Sequence, residues 1–177
     1  ISVSAFLLNR SSDLEIEPLV RPDLPDCGRQ LRQHGFPWGI VSNGYAYDEA
    51  MHKKLMDAGM CSITISLDGL RDTHDAHRQR QGSFDHALRA IDLIANEKRL
   101  PTYDIVTCVS PMNFGELEAI KQLLIEHKVK AWRLFTIDPI GRAATDKSLQ
   151  LSDEQFRQLM DFIVATRKEG RIDCKFS

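Results

Sequence analysis

The stretch from Ser66 to Arg78 holds the residue types that would bind a small amino-acid-like ligand. Ser66 offers a hydroxyl where an apolar, β-branched run ends, and Asp68 adds a carboxylate two residues later. Arg78 follows in a long charge-dense loop, and its guanidinium can bind a carboxylate through two hydrogen bonds. We therefore predict that the loop places Arg78 over Ser66 and forms a carboxylate site. The alternative is a solvated loop whose acidic and basic side chains only pair with one another.

Other catalytic patterns are weak or missing in the sequence. His74 and His77 are three residues apart, but nothing nearby supplies a third and fourth metal ligand, so we expect no metal site here. The sequence contains neither a GxGxxG nor a GxxxxGK[ST] phosphate loop, which argues against a dinucleotide dehydrogenase or a P-loop enzyme. The four cysteines are too far apart for a CxxC or CxxxCxxC metal clip: Cys27, Cys61, Cys108 and Cys174.

The elements that must position these residues alternate along the chain. Runs rich in Val, Ile, Thr and aromatic residues have the length of strands, and amphipathic helical patterns separate them. The strand-length runs are 39–43, 62–66, 103–109 and 131–137. Such alternation predicts an α/β fold of parallel strands joined by helical crossovers. A complete eight-unit barrel needs about 250 residues, so 177 residues leave an open doubly wound sheet or a partial barrel.

Small polar residues follow the predicted strands at their carboxyl ends, where ligands bind in both architectures. They include Asn43, Asp68, Asn113 and the segment 138–142. Such residues also form ordinary turns. Their recurrence at four strand ends favours a polar ligand site at this edge of the sheet.

Several motifs together resemble the radical S-adenosylmethionine (SAM) superfamily, and most closely its SPASM-type enzymes, such as anaerobic sulfatase-maturating and peptide-modifying enzymes. The central motif runs from Ile65-Ser66-Leu67-Asp68-Gly69 through His74-Asp75-Ala76-His77-Arg78 to Gly82-Ser83-Phe84-Asp85. Ser42-Asn43-Gly44 resembles the family's third strand tip, and Pro139-Ile140-Gly141-Arg142-Ala143 resembles its sixth. The segment that begins at Glu17-Pro18 is similar to the end of the family's Gly-Gly-Glu-Pro motif. The resemblance covers roughly residues 17–170.

The resemblance implies a partial (β/α)6 TIM-like barrel and a set of residues that bind SAM. Ser66 and Arg78 would hold the SAM carboxylate, while Asn43 and Asp68 would line the same cavity. The backbone at Ile140 and Gly141 would lie against the adenine. Glu17 belongs to the motif that binds the amino group, although Glu15 and Ile16 stand where the family has two glycines.

The resemblance also implies a [4Fe-4S] cluster, reductive cleavage of SAM and hydrogen-atom abstraction from a peptide or protein substrate. The family holds this cluster with a CxxxCxxC loop that the 177 residues lack. We therefore expect a segment of such an enzyme that is inactive by itself, with residues 1–16 as an atypical start and 17–177 as a barrel incomplete at both ends. The missing initial Met and the altered Gly-Gly-Glu-Pro motif favour this interpretation.

Two other functions stay open at this point. One is a cluster-free module that binds SAM or another small molecule after losing the chemistry. The other is a conventional lyase or aldolase that uses Asp68, His74 or Asp104. Such a lyase commonly needs a metal or a Schiff-base lysine, and the candidate lysines fall on predicted helices or helix exits, which counts against it.

Charge and hydropathy narrow the partners. The net charge of −2 gives no basic surface for nucleic acid, and no run approaches the ~20 apolar residues that cross a bilayer. We expect a reduced, cytoplasmic protein. The first strand of the barrel would be missing or replaced by Ser2 to Leu8, and an uncovered edge strand favours dimerisation.

Overall fold

The computed structural model describes residues 17–137 and 149–177. The strands are β1 (Gly39–Ser42), β2 (Ser62–Ser66), β3 (Thr102–Val109), β4 (Ala131–Thr136) and β5 (Asp173–Phe176). The helices are α1 (Leu24–Gln33), α2 (Glu49–Asp57), α3 (Arg71–His77), α4 (Ser83–Asn96), α5 (Leu117–Glu126) and α6 (Asp153–Glu169). Short 3₁₀ turns lie at Pro18–Val20 and Phe114–Glu116. No helix within these two ranges is long and apolar enough to cross a membrane.

The strands form one parallel sheet in the order β1-β2-β3-β4-β5. The predicted α/β fold of parallel strands is therefore confirmed. Within the described ranges the chain divides into two compact units. The first unit holds residues 17–66 and 86–103, and the second holds 67–85, 104–137 and 149–177.

The first unit contains β1 paired with β2, in a register that sets Gly39 opposite Ser62. Its interior is aliphatic and aromatic, and Trp38 is one of its buried anchors. A Cβ atom at Gly28 would lie 2.2 Å from the Trp38 ring, so only glycine lets α1 approach the indole this closely. The other buried anchors include Leu24, Tyr47, Leu55, Ile63, Ile65, Ile91 and Ile94.

The second unit contains β4 between β3 and β5. Alternate residues of these strands are fully buried, and the Trp132 indole donates a 2.9 Å hydrogen bond to the Thr107 hydroxyl. Phe162 of α6 contacts Trp132 edge-on, which packs this helix on the sheet. The buried core residues here include Leu67, Ile105, Val109, Ile120, Leu124, Leu134 and Leu159.

Local signals in the sequence fix the helix ends. Ser152 and Gln155 form a capping box at the start of α6. Gly59, just beyond α2, has a φ of +83°, a left-handed conformation that glycine adopts without strain. One prediction was wrong, because the charge-dense loop is largely helical: residues 71–77 form α3. A short helix of polar residues lacks the apolar stripe that marks longer helices in a sequence.

Candidate functional site

Asp68 is the centre of a buried polar cluster in the second unit, and every polar group of the residue has a partner. Its N–H donates to His74 Nδ1 at 2.9 Å, and its carbonyl oxygen accepts from Asn113 Nδ2 at 2.8 Å. Carboxylate oxygen Oδ1 accepts the Cys108 N–H at 2.8 Å. Oxygen Oδ2 accepts from the Arg78 guanidinium in an ion pair. We call these five residues the Asp68 cluster, and they hold the carboxylate in one orientation.

Arg78 is the cation of the Asp68 cluster and caps the carboxyl end of α3. Nitrogen Nη2 donates to Asp68, whose side chain is only 3% exposed, whereas the Arg78 side chain is 23% exposed. The Arg78 Nε–H is buried and has no hydrogen-bond partner among the described residues. His77 Nε2 lies 4.0 Å from the same Asp68 oxygen. The guanidinium therefore retains capacity to donate to an additional anionic oxygen.

The turn after Arg78 is closed by Asp75. Its carboxylate accepts the N–H groups of Gly82 and Phe84 at 2.7 and 2.8 Å. Gln79 has a φ of +51°, which turns the chain back towards α4. The loop is thus fixed by its own backbone contacts at the point where Arg78 leaves the helix.

Glu116 braces the other side of the loop. Its carboxylate accepts the Leu70 N–H at 2.8 Å and the Thr73 hydroxyl at 2.6 Å. A Cβ atom at Gly69 would lie 2.8 Å from the Thr73 side chain, so glycine allows this close approach. Glu116 was not predicted as a site residue, and Asn113 was predicted only as a residue at a strand end. The signal was their position just after β3, at the same sheet edge as Asp68.

Two cluster members have pKa values far from their ordinary range. Burial lowers the pKa of His74 to about 4, so its imidazole is neutral at physiological pH. Burial, together with the nearby Asp68 carboxylate, raises the pKa of the Cys108 thiol to about 12. Cys108 is therefore a protonated thiol, and neither a nucleophile nor a thiolate ligand.

A second carboxylate, that of Glu17, holds the end of β1 in the first unit. It accepts the Ser42 hydroxyl at 2.6 Å, the Asn43 N–H at 2.7 Å and the Leu19 N–H at 3.3 Å. The Asn43 side-chain oxygen accepts the Tyr45 N–H at 2.9 Å. The structure thus brings together two predicted site residues, Glu17 and Asn43, through one hydrogen bond.

The remaining predicted residues are placed as follows. The structure joins Asp68 to Arg78, as the alternative of paired loop charges also expected. Ser66 is the half-buried last residue of β2 and belongs to the first unit, so its pairing with Arg78 stays a prediction. Ile140 and Gly141 lie outside the described residues, as does the segment Ser2 to Leu8.

The four cysteines do not fit a [4Fe-4S] cluster, because such a cluster needs several cysteine thiolates close together around it. Cys61 donates its thiol to the Trp38 carbonyl at 3.0 Å, and burial raises the pKa of Cys174 to about 11. Across residues 17–137 and 149–177 no three His, Cys, Asp or Glu side chains are grouped as a metal site. The part of the chain described here therefore carries no step through such a cluster.

An open cavity of about 470 Å³ lies in the first unit between α2 and α4. His52, Arg89 and Glu97 line it, together with the acidic side chains of Glu49 and Asp92. None of the predicted site residues borders this cavity. Its mixed charges select no particular ligand class.

Comparisons with known proteins agree on one family. The family model for the Radical SAM superfamily matches residues 14–124. Fe-coproporphyrin III synthase of Methanosarcina barkeri is 33% identical over 153 residues, which is 86% of this chain and 38% of that protein. Mycofactocin maturase MftC of Mycolicibacterium smegmatis is 30% identical over 151 residues, 84% of this chain and 38% of that protein. The chain thus spans less than half the length of these relatives.

Solved structures share the fold. Streptococcus suis SuiB superposes with a TM-score of 0.70 at 12% identity, covering 91% of this chain and 37% of SuiB. SuiB has also been solved with S-adenosylmethionine and with its precursor peptide SuiA. At this identity the likeness concerns the fold alone. The sequence resemblance to SPASM-type maturases is confirmed by the family match and the curated relatives.

Proposed function

The chain belongs to the radical SAM superfamily, and we propose that its second unit binds the carboxylate of SAM through Arg78. The family match indicates SAM as the ligand. The Asp68 cluster holds a fixed cation, Arg78, that can bind the carboxylate of SAM. Asp68 would act by orienting the guanidinium, since its own oxygens are occupied by Cys108 and Arg78.

The unsatisfied Arg78 guanidinium is the observation that carries this proposal. Its Nε–H is buried without a partner among residues 17–137 and 149–177, and an unpaired buried donor costs stability unless something else uses it. A carboxylate ligand satisfies such a donor and forms a charge-assisted hydrogen bond. Neither water nor a neutral ligand provides the same electrostatic gain in a half-buried position.

The other predicted ligand residues remain proposals that rest on the family resemblance. Ser66 would add its hydroxyl to the SAM carboxylate, Asn43 would line the cavity, and the backbone at Ile140 and Gly141 would contact the adenine. For Glu17 we propose an indirect part, because its carboxylate already holds the Ser42 hydroxyl and the Asn43 N–H.

SAM in this superfamily supplies the radical that abstracts a hydrogen atom from the substrate. This chain would bind and orient SAM, and we propose that the 177 residues alone do not cleave it. The test is anaerobic reconstitution with iron and sulfide. We expect no iron–sulfur chromophore and no 5′-deoxyadenosine. The appearance of both would contradict the proposal.

For the complete enzyme we propose a peptide or protein substrate. The 30% identity to a maturase, MftC, supports this substrate class. The shared fold with SuiB, a protein solved with a precursor peptide, is consistent with it. A cluster-free binding module remains the alternative. Anaerobic reconstitution of the natural polypeptide that contains this chain distinguishes the two, because only the enzyme forms 5′-deoxyadenosine.

An iron porphyrin is the second candidate substrate, because Fe-coproporphyrin III synthase is 33% identical to this chain. Trp38 and Trp132 provide a test, since a bound porphyrin quenches tryptophan fluorescence. Under the peptide proposal, Fe-coproporphyrin III leaves the emission unchanged apart from inner-filter absorption. Saturable quenching at micromolar porphyrin would instead favour a tetrapyrrole substrate.

Calorimetric titration with SAM tests the central proposal. We expect Arg78→Ala to weaken SAM binding by at least about tenfold, since a charge-assisted hydrogen bond is lost. Arg80→Ala is the matched control, because it removes an exposed arginine two residues away. Equal SAM affinity in the wild type and Arg78→Ala, or no SAM binding by the wild type, would overturn the proposal.

A further inference from the structure

We infer that His74 is a positioning residue for SAM binding, which it serves by holding both members of the Asp68–Arg78 ion pair through separate hydrogen bonds. This inference rests on the proposed function of Arg78. It assigns no contact between His74 and SAM.

His74 is hydrogen-bonded to the backbone N–H groups of both Asp68 and Arg78 because of its place in α3. The His74 ring accepts the Asp68 N–H at Nδ1, 2.9 Å away. The His74 carbonyl oxygen accepts the Arg78 N–H, also at 2.9 Å, one helical turn later. The side chain thus fixes the acid, and the backbone fixes the base. Of these two bonds, the one at Nδ1 depends on the imidazole ring.

The chemistry of the imidazole explains why a histidine suits this position. Because Nδ1 accepts a hydrogen bond, the proton of the neutral ring lies on Nε2. A protonated ring would point an N–H at the Asp68 N–H, so only the neutral form fits. The low pKa of His74, a result of burial, keeps that form at physiological pH.

Packing alone does not account for the imidazole. His74 is fully buried, contacts the edge of Phe84, and leaves Nε2 with no hydrogen-bond partner in the described part of the chain. A leucine would fill similar space without burying an unpaired donor. The acceptor at Nδ1 is therefore what the position gains from histidine.

The other supports of Asp68 do not replace this bond. Asn113 holds the Asp68 carbonyl, and the Cys108 N–H holds carboxylate oxygen Oδ1. Both contacts come from the segment at and after the end of β3, whereas the His74 ring holds the Asp68 backbone from α3. Loss of the His74 bond would remove this anchor of the Asp68 backbone and let the carboxylate shift together with the guanidinium that it orients.

A matched pair of substitutions isolates the acceptor. In His74→Asn the amide oxygen stands close to where Nδ1 stood, while His74→Leu has the same branched shape and no acceptor. We expect His74→Leu to weaken SAM binding by about tenfold or more in calorimetry, and His74→Asn to restore affinity to within about threefold of the wild type. Circular dichroism checks folding, and if the leucine variant is unfolded, His74→Gln, whose acceptor lies one bond farther out, takes its place with the same expectation.

A double-mutant cycle separates positioning from general destabilisation. If His74 acts through Asp68, His74→Leu changes SAM affinity by less than about threefold once Asp68→Asn is present. His34→Leu, which changes an exposed histidine, serves as the control for the substitution itself.

The outcomes distinguish this inference from the proposed function. If the wild type binds SAM and Arg78→Ala does not, while His74→Leu binds as tightly as the wild type, only the inference fails. It also fails if His74→Asn loses as much affinity as His74→Leu, or if the effects of His74→Leu and Asp68→Asn are additive. If the wild type binds no SAM, the proposed function fails and the inference with it.

Discussion

The two units each contain a histidine beside a carboxylate, and the two clusters differ in the groups that have no hydrogen-bond partner among the described residues. In the first unit, His52 Nδ1 lies 2.8 Å from the Tyr47 hydroxyl and Nε2 lies 3.0 Å from Glu97. Glu97 also accepts from Arg99. In the Asp68 cluster of the second unit, His74 Nε2 and Arg78 Nε have no partner among the described residues.

The polar atoms without a hydrogen-bond partner distinguish a cluster that binds a ligand from one that only stabilises the fold. In the His52 cluster, which consists of Tyr47, His52, Glu97 and Arg99, the ring nitrogens are both used and the hydrogen bonds from Arg99 lower the pKa of Glu97 to about 2. Burial raises the pKa of Tyr47 above its ordinary range, so the phenol stays protonated. Such a closed network ties helices together. The Asp68 cluster keeps a cationic donor unused, as a ligand site requires.

The largest expected effect is the removal of the charge on Asp68. Asp68→Asn leaves the half-buried Arg78 without an anion, and we expect a loss of about 2–4 kcal/mol in the free energy of unfolding. Urea denaturation measures this loss. Glu97→Gln is the comparison in the other cluster, and a larger loss there than for Asp68→Asn would reverse the assignment of the two clusters.

A pH effect of similar or smaller size follows from His74. Its pKa is about 4 in the folded chain against 6.5 when unfolded, so the unfolded chain binds an additional proton between these values. The stability that neutral His74 provides is complete above pH 6.5 and is lost as the pH falls towards 4, by at most about 3 kcal/mol. Urea midpoints of the wild type and His74→Asn across this range measure it.

The variant should flatten the decline between pH 6.5 and 4 and leave any further loss at lower pH. Glu97 contributes mainly between pH 4.5 and 2, which overlaps only the lower end of this window, since its pKa falls from 4.5 to about 2 on folding. Parallel curves for the wild type and the variant would mean that His74 is not the group responsible.

The smallest effect is expected in the closed cluster. Tyr47→Phe removes the hydroxyl partner of His52 Nδ1, and we expect a loss of about 1 kcal/mol in the free energy of unfolding. SAM affinity should not change, because the substitution lies in a cluster with no predicted ligand contact. A SAM affinity reduced by more than about threefold would show that the His52 cluster also serves binding.

Much of the fold was predictable because strands and helices leave strong local patterns. The run 62–66 matches β2, and the predicted run 131–137 matches β4 with one residue to spare. Ser152 and Gln155 have the spacing of a capping box, and α6 begins directly after Ser152. The helix α3 was not predicted because its seven residues are mostly polar and show no helical repeat of apolar residues.

The site was predictable in its residue types and less so in its bonds. The sequence singled out Asp68 and Arg78, which form an ion pair in the structure. It gave no reason to link Asn113 to Asp68 or Glu116 to Leu70, since these residues are more than forty positions apart and meet only through the folded sheet edge. Long-range hydrogen bonds of this kind have no local signature.

We propose that the Arg78 guanidinium binds the carboxylate of SAM, and one calorimetric cycle measures this contact. The wild type and Arg78→Ala are each titrated with SAM and with decarboxylated SAM. We predict that loss of the ligand carboxylate weakens binding to the wild type by at least about tenfold and leaves binding to Arg78→Ala nearly unchanged. An equal loss of affinity in both proteins would contradict the account.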